Sequence, residues 1–215
     1  MAGTISAEII CAVVGPLATN CYVLGCPETK QAVIVDPGGD PDLVIEIVRG
    51  KKLEPVQIIC THGHSDHIAA VSTLKAAFGV DFAIHAEARE IVKSSVIEAP
   101  LWGMGTIEEP EIDVTLSHGD TIRFGAVEGV VRHTPGHSPG GISIVFDTFV
   151  LVGDTLFAGS IGRTDLPGGD FNTLLDSIRR ELLTLPGETI VYCGHGPHTR
   201  IDIERAQNPF ITGAF

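Results

Sequence analysis

Short apolar runs recur along the chain, most of them β-branched and closed by Gly or Pro, which is the pattern of strands in a sheet. They lie at Glu8 to Val14, Cys21 to Gly25, Ala32 to Asp36, Val56 to Cys60, Phe82 to His85, Thr121 to Phe124, Val127 to His133, Ile142 to Phe146, Phe149 to Val152 and Thr189 to Cys193. Leu43, Val44, Ile47 and Val48 recur at helical spacing after Asp40-Pro41, with Gly50 beyond, and predict a helix capped by Asp40. A second helix is predicted to carry Ile68, Val71, Leu74 and Phe78 on one face before Gly79. A third carries Phe171, Leu174, Leu175, Ile178 and Leu182 before Pro186-Gly187. Hairpin-like strands come first, strands and helices then alternate, and strands return ahead of a late helix. That order implies a mixed α/β sandwich of sheets covered by helices. No linker, low-complexity tract or run of like charge divides the chain, so residues 1–215 read as a single domain.

With 44% hydrophobic and 19% charged residues, the chain has ample apolar surface for a core. Lys plus Arg number 14 against 27 Asp plus Glu, a net charge of -13. A surface so acidic repels phosphate backbones and anionic lipid, which argues against nucleic-acid and membrane partners. No apolar stretch approaches the roughly 20 residues of a membrane helix. No Lys or Arg precedes Lys30, so the basic region of a secretory signal is missing. Five cysteines without a CxxC pair suit reduced thiols. These features together predict a cytoplasmic protein; oligomeric state is left open.

The chemistry concentrates in Thr61-His-Gly-His-Ser-Asp-His67, directly after the run Val56 to Cys60. His62, His64, Asp66 and His67 leave a strand end together, and imidazole with carboxylate suits zinc, iron or manganese. The competing reading is a polar loop in which Ser65 or Asp66 caps the following helix. Crowded, unneutralised imidazoles, however, raise one another's ionisation cost, which weighs against a plain polar loop. His137 in Thr134-Pro-Gly-His-Ser-Pro-Gly140, Asp154 in Gly153-Asp-Thr155 and His195 in Cys193-Gly-His-Gly-Pro197 also follow strand-like runs among glycines. Seven such donors exceed one tetrahedral zinc and suit two adjacent cations, which together generate a nucleophile from water. Hydrolysis of a small molecule is the reaction class this predicts. His85, His118, His133 and His198 are expected to be structural or exposed, and Cys60 and Cys193 to be small buried hydrophobes. Trp102 and Met104 are expected to form either a lid or an apolar plug.

His62 to His67 resembles the HxHxDH motif of the metallo-β-lactamase fold superfamily. Val33-Ile-Val-Asp-Pro-Gly-Gly39 and Gly153-Asp-Thr-Leu-Phe157 match further motifs in order. The resemblance implies a four-layer αββα sandwich with two mixed sheets and metals at the edge between them. It assigns His62, His64 and His137 to the first metal, Asp66, His67 and His195 to the second, and Asp154 to the bridge. It also gives Asp66 the catalytic task of orienting the attacking solvent.

Within the superfamily the chain is similar to glyoxalase II and its small relatives, through Gly153 to Asp165. That similarity implies a thioesterase acting on S-lactoylglutathione or related acyl thioesters, with two divalent ions, zinc foremost. It makes Arg163 a substrate-binding candidate, against an alternative in which Arg163 pairs with Asp165 or Asp170. Full-length glyoxalase II has a helical C-terminal domain that completes the glutathione site, whereas only 20 residues follow His195. The Gly162-Arg-Thr-Asp165 element also occurs in mononuclear iron persulfide dioxygenases of this fold. The alternative it implies uses His62, His137 and Asp154 as a two-histidine, one-carboxylate triad.

Overall fold

Successive residues of one strand feed different cores in the computed structural model, which describes residues 6–214. In the strand Thr19–Gly25, Cys21 and Val23 pack toward helices, while Tyr22 and Leu24 point into a layer between two sheets. The first sheet runs in sequence order through β1 (Glu8–Val14), β2 (Thr19–Gly25), β3 (Gln31–Val35), β4 (Glu54–Ile59), β5 (Asp81–His85) and β6 (Val114–Leu116). Its first three strands are antiparallel and β3 to β6 are parallel. The second sheet comprises β7 (Thr121–Phe124), β8 (Val127–His133), β9 (Ile142–Val145), β10 (Phe149–Gly153), β13 (Ile190–Cys193) and β14 (Thr199–Arg200). There β10 and β13 are parallel neighbours. A small hairpin, β11 (Leu156–Phe157) with β12 (Ser160–Ile161), stands apart.

Helices α1 (Pro41–Gly50), α2 (Ser65–Ile68), α3 (Val71–Phe78) and α4 (Arg89–Glu98) cover the first sheet, burying Val44, Ile68, Leu74 and Val92 against Ile34, Ile58 and Phe82. Between the sheets, Val33, Val35 and Ile59 meet Phe124, Ile144 and Leu151. Beyond the second sheet, α5 (Phe171–Ser177) and α6 (Ile201–Gln207) bury Leu174, Leu175 and Ile201 on Val150, Val152 and Val191. A short α7 (Pro209–Thr212) follows. Three apolar seams therefore separate four layers in the order αββα, as the resemblance implied. All ten predicted strands are present, with ends displaced by at most two residues.

The helices depart from expectation in instructive ways. Asp40 does precede α1, but its φ of 45° is left-handed and its side chain makes no cap; its Oδ2 instead accepts from the Gly15 N–H at 2.8 Å. Gly50 is the last helical residue and lies within α1. The helix expected through Ile68 and Phe78 is broken into α2 and α3. Ala70 N–H donates across to Pro37 O, 2.9 Å, and so leaves the helical ladder. Neither Ser65 nor Asp66 caps α2; His64 holds the capping position without a side-chain bond. The third helix ends in a π-helical turn over Ile178–Leu182.

The C-terminal ends of β3, β4, β8, β10 and β13 open at one edge of the sandwich. The loops that leave those ends carry Asp36, His62 to His67, His137, Asp154 and His195.

Candidate metal centre

Glycines clear the space into which the site's side chains converge. A Cβ on Gly194 would collide with Asp154 Oδ1 and His67 Cε1, so only glycine lets β13 bring His195 this close. A Cβ on Gly38 would likewise collide with the Asp66 carbonyl, which accounts for the Pro-Gly-Gly turn after Asp36.

His62, His64 and His137 form one group. His137 Nε2 lies 3.3 Å from His62 Nε2 and 3.0 Å from His64 Nδ1. His137 Nδ1–H donates to Arg163 O at 2.8 Å, which makes its Nε2 a bare lone pair. Thr61 Oγ1–H donates to Asp36 Oδ2, so His62 Nδ1–H donates to Thr61 Oγ1 at 3.1 Å and His62 Nε2 is bare as well. Two lone pairs thus face each other in a buried site, an arrangement that repels unless a cation lies between them. Burial, followed by the surrounding histidines, holds His62 well below the ordinary histidine range. Burial and His137 bring His64 to about 4. Both rings are therefore neutral near pH 7, the state a metal requires.

Asp66, His67 and His195 form the second group. His195 Nε2 lies 3.1 Å from Asp66 Oδ2, which also accepts from Thr19 Oγ1 at 3.3 Å. His67 Nε2 lies 3.6 Å from Asp66 Oδ2 and 3.4 Å from Asp154 Oδ1. The other oxygen of Asp154 faces both groups, 3.6 Å from His195 Nε2 and 3.7 Å from His137 Nε2. Burial works against charge on all of these groups, but their mutual attraction outweighs it. The carboxyls of Asp66 and Asp154 are held low, and His67 and His195 are raised.

Asp36 lies in the motif Val33-Ile-Val-Asp-Pro-Gly-Gly39, which predicts no task for it; the structure supplies one. Its carboxylate accepts from the Thr61 backbone N–H, 2.7 Å, and Thr61 Oγ1, 2.8 Å, and lies 3.1 Å from His67 Nδ1. The only hint in the sequence was an acidic residue ending an apolar strand. Asn20 and Tyr22 were also missed. Asn20 Nδ2 donates to Cys193 O and Gly196 O, and Tyr22 Oη–H to Cys193 O, so β2 grips the loop that carries His195.

Despite these contacts, His67 Nδ1 and Nε2 and Asp154 Oδ1 are buried without an aligned hydrogen-bond partner. Unsatisfied buried donors and acceptors of this kind are costly. His62 with His64 and His137, His62 with His67 and Asp154, and Asp66 with His67 and His195 each bring their ligand atoms within 4.8 Å of one another. The nitrogen and oxygen donors, the facing lone pairs and the orphaned atoms all fit bound divalent metal.

Arg163 sits at the rim with its guanidinium paired to Asp165 by two 2.8 Å bonds, while Asp170 caps α5 through Thr173 N–H. Cys60 and Cys193 are fully buried, and burial pushes the Cys193 thiol up to about 12. Trp102 lines the cavity beside the centre, whereas Met104 is partly buried against the core between the first sheet and its helices. His85 and His133 stack at 4.1 Å away from the cluster. His85 Nδ1 accepts from Glu87 N–H, and His133 Nε2 donates to Pro139 O. His198 lies beside Tyr192. No helix among the described residues is long and apolar enough to cross a membrane.

Comparison with known proteins agrees with this geometry. Residues 14–195 match the Metallo-beta-lactamase superfamily. The crystal structure of the B3 metallo-beta-lactamase BLEG-1 superposes with a TM-score of 0.89 at 39% identity, covering 96% of this chain and 100% of that one. That of TTHA1623 in a di-iron-bound form superposes at 0.85 with 37% identity, covering 94% and 99%. The hydroxyacylglutathione hydrolase GloC of Haemophilus influenzae is 36% identical over 201 residues, 89% of this chain and 92% of its own. The chain belongs to the metallo-β-lactamase superfamily.

Proposed function

We propose that the chain is a metal-dependent thioester hydrolase of the glyoxalase II type, with S-lactoylglutathione and related acyl thioesters as its substrate class. The observation that carries this reading is the convergence of seven donors, five of which line a cavity of about 460 Å³. The similarity to GloC supports the thioester end of it. His62, His64 and His137 would hold one divalent cation and Asp66, His67 and His195 a second, with Asp154 facing both; zinc suits these donors, and iron or manganese are alternatives. When bound, such cations supply Lewis acidity that polarises a carbonyl and brings the pKa of solvent toward neutrality.

The chain's own groups do the rest. Asp66 stays ionised because His67 and His195 outweigh its burial, so its carboxylate accepts a hydrogen bond from the attacking water and orients it. His137 is fixed by its bond to Arg163 O, and His62 by Thr61. Addition of water to the acyl carbon breaks the C–S bond and yields a carboxylate, a thiol and a proton. A thiolate leaves readily, so little proton donation is needed.

Incubating zinc-reconstituted chain with S-lactoylglutathione and titrating the released thiol tests the proposal. Metal-dependent release supports it. Absence of release across a panel of acyl thioesters overturns it. Oxygen uptake with glutathione persulfide by an iron-loaded sample would favour the dioxygenase chemistry instead.

A further inference from the structure

The cavity extends well beyond the donor cluster, and its outer wall has its own chemistry. Ile91 from α4, Trp102 just after it, Leu166 and Pro167 beyond β12, Phe157 of β11 and Leu17 make most of this lining apolar, with Ser94 and Ser95 of α4 between Ile91 and Glu98. Two charged side chains outside the cluster reach this wall, Arg163 and Glu98. Both Arg163 bonds to Asp165 measure 2.8 Å, a fork-to-fork pair tethered two residues apart, and the two charges cancel. A substrate carboxylate would have to displace Asp165 from it. Glu98 is exposed and has no hydrogen-bond or ion-pair partner among the described residues. The outer wall is therefore mostly apolar, with two serines and one uncompensated negative charge, on a chain whose net charge is -13.

We infer that this wall receives the non-reacting arm of the substrate as an apolar chain or ring ending in an ammonium group near Glu98, and selects against an arm ending in carboxylate. The inference rests on the hydrolase reading for the reacting end alone; the arm is read from the wall. Within the acyl thioesters it ranks thiols whose arm carries an ammonium group above thiols whose arm ends in carboxylate alone.

Trp102 is the single tryptophan of the chain, so its fluorescence reports directly on the pocket. The test titrates the metal-reconstituted chain with three (benzylthio)acetates that share the carboxylate end and differ only in a para aminomethyl, methyl or carboxylate group. Binding is expected to weaken in that order, by about threefold per step for a partly exposed charge. Glu98→Gln should bring the aminomethyl and carboxylate compounds closer together and leave the methyl compound unchanged. Asp165→Asn, which releases Arg163, should tighten the carboxylate compound alone. Equal binding of all three, tightest binding of the carboxylate compound by the parent chain, or no fluorescence response would each overturn the inference. The expected order without any thioester hydrolysis would leave the wall as described and sink only the hydrolase reading. Hydrolysis without the order would do the reverse.

Discussion

Asp36 and His67 meet carboxylate to imidazole at 3.1 Å, with both side chains sealed from solvent. Asp36 is itself fixed by two bonds from Thr61, the residue before His62. One carboxylate thus orients a ring of the second donor group and, through Thr61, sets the tautomer of a ring in the first. Asp36→Asn should lower metal affinity by about 10- to 100-fold while the circular dichroism of the chain stays native. Competition with a chelator measures this, and unchanged affinity would remove Asp36 from the site.

Proton counts on metal binding follow from the opposed shifts of the histidines. His67 and His195 are raised above the ordinary value and His62 and His64 are lowered. Coordination needs neutral rings, so at pH 7 His67 must give up a proton, whereas His62 and His64 have none to lose. Calorimetric titration in buffers of different ionisation enthalpy should show net proton release, and less of it in Asp36→Asn.

The same shifts set how the metal-free chain responds to acid. A histidine whose pKa is lowered by folding favours the folded state fully above its unfolded value, about 6.5. That contribution is lost as pH falls toward the folded value, because the unfolded chain takes up the proton first. With His64 at about 4, metal-stripped protein should lose stability between about pH 6.5 and 4 through His62 and His64. Thermal melts across that range check the sign.

Asn20 offers a test of the grip on His195. Asn20→Ala removes the donors to Cys193 O and Gly196 O, and should weaken one metal site while the His62, His64 and His137 group keeps its ion. A cobalt-substituted sample would show the loss of one spectral component only. Loss of both, or neither, contradicts the assignment.

Asp66→Asn should lower thioester turnover by roughly two or more orders of magnitude, since Asn cannot take the place of a carboxylate that stays ionised beside His195. The melting temperature should remain near that of the parent chain.

Much of this was legible in the sequence because strands with β-branched cores and Gly or Pro ends advertise themselves, and because His62, His64, Asp66 and His67 sit together. The strand Val114–Leu116 is too short to show a period, and α4 fully buries only Val92 and Ser95, so it carries no clear apolar stripe. Asp40 looks like a helix cap in the sequence, but a long-range bond to Gly15 claims its side chain. Asp36, Asn20 and Tyr22 act through partners far away in the chain, so no local pattern could assign them.

Counting metal on the intact chain tests the central claim most directly. After reconstitution with zinc and exhaustive dialysis, elemental analysis should give about two ions per chain, falling to about one in His195→Ala. Metal-free protein under those conditions, or a His62→Ala/His67→Ala double variant that retains the parent stoichiometry, would contradict it.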